Sequence, residues 1–290
     1  MAIRSVDMTG KQVMITGCTA GLGRAGAIAL AEMGATLSLV CRNRTKGEDL
    51  LGEIRRKTGR EDCELFVGDM GCQRDIREIA AAYIAKDRPL DVLFNNAGVV
   101  MQQRFETSDG FETTFGVNHL GYFLLTVLLI DQLQAAPAAR IVSTASDAYK
   151  FSGGRINFDD LQSERKYTTF GAYGASKLAN ILFSRELAKR VGDSGVTANA
   201  FHPGMVGSDF AKNNGFIAQV AMTLIKPLAR SPLKGAESGI YLCTSPEVEG
   251  KTGGYYFNCA IHETKPAACN DEDARRLWEV SEKLTGASLG

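Results

Sequence analysis

The feature that most constrains this chain is a glycine-rich turn, TGCTAGLG, at residues 16–23. A short apolar run precedes it at residues 13–16, and a segment with helical spacing of apolar residues follows it at residues 24–33. A strand, a glycine turn and a helix N-terminus in this order present free backbone N–H groups and the positive end of a helix at one point, which suits a pyrophosphate. The order therefore predicts the first unit of a dinucleotide-binding α/β fold.

Short strands and longer helices continue to alternate along the chain, which is typical of a parallel sheet covered on both faces. Because no long linker and no repeat divides the sequence, we predict one domain over residues 1–290. The predicted fold is a Rossmann-type, doubly wound, three-layer α/β sandwich with a seven-stranded parallel sheet. Strands are predicted at residues 13–16, 36–41, 64–67, 92–95, 140–144, 197–201 and 255–258. Helices are predicted at residues 24–33, 46–57, 72–85, 111–133, 173–191 and 232–243, with a capping helix or a surface tail at residues 271–284.

The amino-acid composition limits which binding partners and which cellular compartment we expect. With 44% hydrophobic and 23% charged residues the chain is predicted to be soluble and globular, and its 33 basic and 33 acidic residues cancel, which argues against nucleic acid as a partner. Seven cysteines without a C-x-x-C pair and three widely spaced histidines indicate neither a disulfide framework nor a metal site. The first residues contain no continuous apolar stretch, so we expect no signal peptide and no membrane anchor, and a cytoplasmic protein.

The residues after the second predicted strand bear on which nucleotide binds. An acidic residue there would hold the ribose hydroxyls of NAD, but Cys41 is followed by Arg42-Asn43-Arg44. Arg42 and Arg24, which lies beside the glycine turn, are placed to bind a 2′-phosphate through charge-assisted hydrogen bonds. We therefore expect NADP(H) in preference to NAD(H). The alternative is that Arg42 and Arg44 are solvated surface charges.

Tyr173 and Lys177 are four residues apart in a predicted helix, so their side chains project from one face. A neighbouring ammonium lowers the pKa of a phenol, and we expect Lys177 to bring Tyr173 toward proton exchange near neutral pH. The Y-x-x-x-K pattern alone is common among surface side chains. Its combination with the glycine turn is not expected by chance.

Two stretches interrupt the alternation, at residues 147–169 and 211–230. In a doubly wound sheet the ligand binds outside the carboxyl ends of the strands, where such loops carry specificity. Residues 205–231 are therefore a candidate substrate-binding lid; a surface helix is an equal alternative, and membrane contact is a lesser one. The candidates for an apolar pocket wall, which packing within the loops would explain equally well, are Tyr149, Phe151, Phe210, Phe216, Ile217 and Met222.

Taken together, the motifs resemble those of the short-chain dehydrogenase/reductase family over nearly the whole chain. They occur in the family's order and register. They are TGCTAGLG at residues 16–23, GDM at 68–70, NNAG at 95–98, VNHLG at 117–121, Ser146, Tyr173 with Lys177, and the Pro203-Gly204 turn.

The resemblance implies roles for the matching residues. Tyr173 would be the general acid of carbonyl reduction and the general base of alcohol oxidation, and Lys177 would hold the nicotinamide ribose and lower the tyrosine pKa. Ser146 would hydrogen-bond the reacting oxygen, and Asn118 would hold a water that links Lys177 to solvent. The predicted cofactor-binding residues are Gly17, Thr19, Ala20, Gly21, Leu22, Arg24, Arg42, Asp69, Met70, Asn95, Ala97, Gly98, Tyr173, Lys177, Pro203, Gly204, Val206 and Ser208.

The end of the fifth predicted strand departs from the family's pattern. Paired serines are usual there, whereas this chain has Ala145 where the first of them would stand. We assign the catalytic role to Ser146; a different register would instead bring Ser143 to the site.

The insert between Ser146 and Tyr173, and SKLANIL at residues 176–182, are similar to the retinol-dehydrogenase-like branch. Members of that branch tend to use NADP(H) and to reduce aldehydes or ketones on apolar skeletons; a soluble carbonyl reductase fits as well. We expect an NADP(H)-dependent oxidoreductase that interconverts a carbonyl and an alcohol on a small apolar substrate by hydride transfer. The alternative is an NADP(H)-binding sensor or regulatory protein without turnover. Family members are often homo-oligomers, so a homo-oligomer is an expectation.

Overall fold

A single sheet organises the computed structural model, which describes residues 6–205 and 230–289. In that part of the chain eight strands follow the order β3-β2-β1-β4-β5-β6-β7-β8. Strands β1 to β7 are parallel, and β8 pairs antiparallel with β7. The strands are β1 Gln12–Thr16, β2 Thr36–Cys41, β3 Glu64–Val67, β4 Val92–Asn95, β5 Arg140–Thr144, β6 Thr197–Phe201, β7 Tyr255–Phe257 and β8 Ala260–Ile261.

The prediction of seven parallel strands missed one strand, β8. After β7 the chain enters a two-residue turn in which Asn258 and Cys259 have φ of 51° and 61°. Left-handed residues at both positions are typical of the tight turn of a β-hairpin, and Asn is among the residues that tolerate them. The chain therefore reverses at Asn258, which was predicted to belong to the strand, and returns as β8.

Helices pack on both faces of the sheet. One apolar cluster joins α1, α2 and α8 to the strands, and another joins α3, α5 and α7 to them. None of the helices in the described residues is both long and apolar enough to cross a membrane. The helices are α1 Gly21–Glu32, α2 Arg44–Thr58, α3 Gln73–Ile84, α4 Thr113–Phe115, α5 Gly121–Leu128, α6 Ile130–Gln134, α7 Thr169–Val191, α8 Pro232–Thr244 and α9 Asp271–Thr285.

The single helix predicted at residues 111–133 is wrong. The Glu112 carboxylate accepts hydrogen bonds from the backbone N–H groups of Thr114 and Phe115, so the helical segment begins at Thr113. A π-helical turn, Gly116–Leu120, then separates α4 from α5, and α6 follows as a further short helix. The spacing of apolar residues does not indicate where a helix widens, and such turns often occur at functional sites.

The C-terminal residues form a helix that packs on the core. Asn270 caps α9, because its side-chain oxygen accepts hydrogen bonds from the backbone N–H groups of Glu272 and Asp273. Trp278 of α9 is buried, with its ring centroid 4.8 Å from that of Phe123 and 5.9 Å from that of Phe183. The capping-helix interpretation is thus confirmed over the surface tail.

The strand order positions the ligand site. The chain runs from β1 outward to β3 on one side and from β4 onward on the other, so the order reverses between β1 and β4. A crevice outside the carboxyl ends of the strands forms at such a reversal. The loops after β1, β4, β5 and β6 all emerge at this edge.

Candidate active site

The glycine turn after β1 packs tightly against the residues after β4. Gly17 has φ of 66°, and a Cβ on it would lie 2.6 Å from the Ala97 Cα. The Asn96 Nδ2 donates to the backbone oxygens of Thr16, at 2.9 Å, and Gly17, at 3.1 Å, while a Cβ on Gly23 would overlap both Asn96 Nδ2 and the Gly17 oxygen. These two glycines therefore serve close backbone packing. Asn96 belongs to the NNAG motif, but no site role was predicted for it.

The N-terminus of α1 can accept an anion. Ala20 precedes the helix in an extended conformation, makes no side-chain cap and is followed by no acidic residue in the first turn. The first backbone N–H groups of a helix need a partner from outside it, and the positive helix end favours a negative one. The turn that contains Thr19, Ala20, Gly21 and Leu22 thus fits the pyrophosphate of a dinucleotide.

One face of α7 carries the predicted catalytic pair. Lys177 Nζ lies 5.5 Å from the centroid of the Tyr173 ring and donates to the Thr144 backbone oxygen at 3.0 Å. The Ser146 hydroxyl lies beside the Tyr173 hydroxyl and acts to lower the pKa of Tyr173. Asn180, one turn further along α7, donates to the same Thr144 oxygen at 3.1 Å. The end of β5 is therefore fixed to α7 at the catalytic residues.

Asn118 lies in the π-helical turn and connects it to α7. Its Oδ1 accepts from the Val99 N–H at 2.8 Å, and its Nδ2 donates to the Val99 oxygen and to Ser176 Oγ, each at 3.0 Å. Ser176 Oγ in turn donates to the Tyr173 backbone oxygen at 2.8 Å. The structure thus brings Asn118, Ser146, Tyr173 and Lys177 together. That Asn118 holds a water stays a prediction.

Comparison with known proteins gives the family. The model of the short chain dehydrogenases matches residues 11–215. The chain belongs to this family. Human retinol dehydrogenase 14 is 41% identical over 300 residues, covering 96% of this chain and 87% of that protein, and mouse retinol dehydrogenase 12 is 40% identical over 282 residues, covering 97% and 88%. These relatives confirm the retinol-dehydrogenase-like resemblance.

Solved structures confirm the fold of this short-chain dehydrogenase. A protein of uncharacterised function from Mycobacterium Paratuberculosis is 29% identical and superimposes with a TM-score of 0.79 over 98% of this chain and 97% of its own. A dehydrogenase of the same family from Escherichia coli CFT073 is 22% identical, with a TM-score of 0.70 over 87% and 98% of the two chains. The Rossmann-type sandwich is therefore established, and the family is one of nicotinamide-dependent oxidoreductases.

In this dehydrogenase, burial reverses the expected pKa shift of Tyr173, the predicted catalytic tyrosine. Burial raises the pKa of Tyr173 to about 12, although the neighbouring Ser146 hydroxyl opposes the rise. Burial likewise lowers the pKa of Lys177 to about 7. Both charged forms lose hydration in the interior, and that loss outweighs the attraction expected from the sequence. Tyr173 is therefore a protonated acid at neutral pH, not a phenol poised near 7.

Replacing Lys177 by Met is expected to stabilise the fold near neutral pH. Below a folded-state pKa of about 7, folding buries an ammonium that the unfolded chain keeps in water, and this cost disappears as the pH rises from about 7 toward 10.5. The Thr144 oxygen keeps its hydrogen bond from Asn180. We expect Lys177→Met to raise the free energy of unfolding by about 1–3 kcal/mol at pH 6 and by much less at pH 10, measured by urea denaturation. Lys46→Met, at an exposed lysine, is the control, and an equal gain at both pH values would contradict the expectation.

The predicted adenine end of the site contains an exposed ion pair. Arg42 Nη1 lies 3.3 Å from Asp69 Oδ2, and the Arg42 side chain is 74% exposed. Arg24 pairs instead with Glu53 of α2, so the two arginines have different acidic partners. The Met70 side chain is buried in the core, which leaves only its backbone for contact with a cofactor.

The predicted nicotinamide end is only partly described. Gly98 lies beside the catalytic residues, since a Cβ on it would be 3.8 Å from Lys177 Nζ. The Asn95 side chain is instead buried and donates to Thr126 Oγ1 at 3.1 Å. Gly204, with φ of 77°, donates its N–H to His202 Nδ1 at 3.1 Å. Outside the described residues lie Val206, Ser208, Phe210, Phe216, Ile217, Met222 and all but the ends of the candidate lid 205–231.

Burial decides between two pairs of alternatives that the sequence left open. Ser143 is completely buried in β5, whereas Ser146 contacts Tyr173, so the register favours Ser146. Tyr149 is also buried, and its hydroxyl accepts a hydrogen bond from the Lys265 N–H at 2.8 Å, so it packs the loop instead of lining a pocket. Phe151, by contrast, is 63% exposed beside the exposed ring of Phe170.

Proposed function

We propose that this dehydrogenase uses NADP(H) to interconvert a carbonyl and an alcohol on a small apolar substrate, in the cytoplasm, with Tyr173 as the general acid and base. The observation that carries the proposal is that the Ser146 hydroxyl lies beside Tyr173, which is one helical turn from Lys177 and at the same sheet edge as the glycine turn. A proton donor, a second hydroxyl for the reacting oxygen and a dinucleotide cradle are what hydride transfer to a carbonyl requires.

Residues of the protein would supply the proton and orient the substrate. Bound NADPH would supply the hydride. Ser146 would hydrogen-bond the carbonyl oxygen, and Tyr173 would donate its proton to that oxygen as negative charge develops. A tyrosine with a pKa of about 12 can still protonate an alkoxide, whose basicity is close to that of hydroxide, with water at about 15.7. Lys177 in its ammonium form would stabilise the resulting phenolate.

The preference for NADP(H) is expected to depend on Arg42. Its guanidinium is exposed at the end of β2, where a 2′-phosphate could replace Asp69 as its partner. We expect Arg42→Ala to raise the KM for NADPH about tenfold, or about 1.4 kcal/mol, and to leave the KM for NADH unchanged. Arg44→Ala, at an exposed arginine paired only loosely with Glu48, is the matched control. An equal increase in KM for both cofactors would show that Arg42 does not bind the 2′-phosphate.

An apolar substrate is supported by the relatives and by the surface beside the site. Two relatives are named for retinol, an apolar alcohol. In this chain the exposed rings of Phe151 and Phe170, 6.0 Å apart, lie next to the catalytic helix turn, since Phe170 precedes Tyr173 by three residues in α7. Such rings offer contact area for an apolar molecule. A homo-oligomer remains part of the proposal.

The test is a screen of apolar aldehydes, ketones and alcohols, followed by NADPH absorbance with NADH in parallel. We expect turnover with an apolar carbonyl and a lower rate with NADH. A protein that binds NADPH but oxidises none of it with any compound, and in which Tyr173→Phe changes nothing, would be the sensor instead.

A further inference from the structure

Three side chains of types that can bind a metal ion lie together beside Ser146. Asp147 directly follows Ser146, His202 directly precedes the Pro203-Gly204 turn, and His262 follows β8. One donor atom from each of Asp147, His202 and His262 lies within 4.8 Å of the other two. No metal site was expected from the sequence because the histidines are far apart along the chain, but β6, β7 and β8 are neighbours in the sheet and bring them together.

His202 has a buried ring nitrogen that bonds to none of the described residues. The side chain is 7% exposed, and its ring stacks on that of Phe257 with centroids 4.0 Å apart and planes at 16°. Nδ1 accepts the Gly204 N–H, whereas Nε2 has no hydrogen-bond partner among the described residues. Buried polar atoms in folded proteins are nearly always bonded, so this nitrogen is available to a ligand.

Asp147 and His262 complete the donor set. Lys150 Nζ donates to Asp147 Oδ2 at 2.7 Å, which leaves Oδ1 toward His262 Nε2 at 3.7 Å and the Tyr255 hydroxyl at 3.5 Å. The His262 side chain is partly exposed, so an ion can reach the group from solvent and the ring can adjust.

We propose that Asp147, His202 and His262 bind a divalent transition-metal ion of the zinc type through one carboxylate oxygen and two ring nitrogens. Two imidazoles and one carboxylate, with a fourth position open to water, form a set that Zn²⁺ commonly takes. Zinc bonds of about 2.0–2.2 Å place tetrahedral ligands about 3.3 Å apart, so the Asp147 to His262 separation needs only a small contraction.

Metal binding and the Pro203-Gly204 turn require the proton of the His202 ring on different nitrogens. Nδ1 accepts the Gly204 N–H only while it carries no proton, which puts the proton of the neutral ring on Nε2. Coordination through Nε2 releases that proton and requires one on Nδ1, where it would face the Gly204 N–H. We therefore expect the bound metal to displace this turn and to weaken NADPH binding, with NADPH weakening metal binding by the same factor. The competition rests on the proposed function; metal binding itself does not.

Calorimetric titration of the full chain with Zn²⁺ tests the site. We expect one ion per chain, and at least tenfold weaker binding in both His262→Asn and Asp147→Asn. Cys269→Ser, which removes an exposed thiol that could bind zinc, is expected to leave the affinity unchanged. Unfolding temperatures without metal establish that each variant is folded. Absence of binding to the wild type, unchanged affinity in the two variants, or loss of binding in Cys269→Ser would overturn the site.

The competition has a separate readout. We expect saturating Zn²⁺ to raise the dissociation constant of NADPH about tenfold in the wild type, which corresponds to about 1.4 kcal/mol of coupling, and not in His262→Asn. The His262→Asn variant is the control for zinc that binds directly to the phosphates of the cofactor, because that binding does not depend on the proposed site. Zinc that binds at Asp147, His202 and His262 but leaves NADPH affinity unchanged would overturn the competition. Failure of NADPH to bind even without zinc would instead overturn the proposed function.

Discussion

Tyr173→Phe is expected to lower the turnover of an apolar carbonyl by about 10²–10⁴-fold while NADPH binding stays within about twofold of the wild type. The substitution removes one hydroxyl and keeps the ring, so the packing of α7 is preserved. It does remove the proton that the reacting oxygen needs. Burial raises the pKa of the Tyr173 hydroxyl to about 12, so this group stays protonated at neutral pH.

Two measurements separate the chemical role of Tyr173 from a structural one. NADPH affinity by fluorescence reports the cofactor cradle, and single-turnover NADPH oxidation reports the chemical step. Tyr83→Phe is the matched control, since it also removes a buried hydroxyl, one that donates to the Pro89 oxygen away from the site. A Tyr173→Phe enzyme that kept more than a tenth of the wild-type rate, or a Tyr83→Phe enzyme that lost as much, would contradict the assignment.

The sheet was predictable where each strand is a short apolar or β-branched run between turn residues. The bounds of β2 to β6 follow the prediction for this reason. The hairpin to β8 was missed because it rests on two non-glycine residues, Asn258 and Cys259, with left-handed backbone. The π-helical turn Gly116–Leu120 was missed because the spacing of apolar residues does not distinguish it from an α-helix, and its Asn118 and His119 side chains bond to residues far away in the sequence.

The candidate site shows the same division between local and tertiary information. Helical spacing alone brought Tyr173 and Lys177 to one face, and the same spacing of three, four and seven residues could have added Ser176 and Asn180. The pKa of Tyr173 could not be predicted, because its direction depends on burial by elements far apart in sequence. The same holds for Asp147, His202 and His262, which the order of β5, β6, β7 and β8 brings together.

Gly23→Ala is expected to weaken NADPH binding about 100-fold, or about 2.7 kcal/mol, which is within the usual cost of forcing an extra methyl into a packed site. The new Cβ would overlap the Gly17 oxygen and the Asn96 amide nitrogen that holds the glycine turn. Backbone cannot give way there without moving the turn itself. The N–H groups at the start of α1 would then no longer point to one place, and those groups are what we propose holds the pyrophosphate.

Gly26→Ala is the matched control in the same helix. A Cβ on Gly26 would meet Phe94 Cε1 at 3.4 Å and Ile15 Cδ1 at 3.7 Å, which are ordinary contacts, and Ala favours a helix over Gly by up to about 1 kcal/mol. We expect Gly26→Ala to bind NADPH like the wild type and to unfold at the same or a higher temperature. Calorimetry with NADPH measures both variants. Equal losses would mean that any added methyl in α1 disturbs the site through helix packing, whereas a loss confined to Gly23→Ala would assign it to the turn, because the two variants add the same methyl group to the same helix.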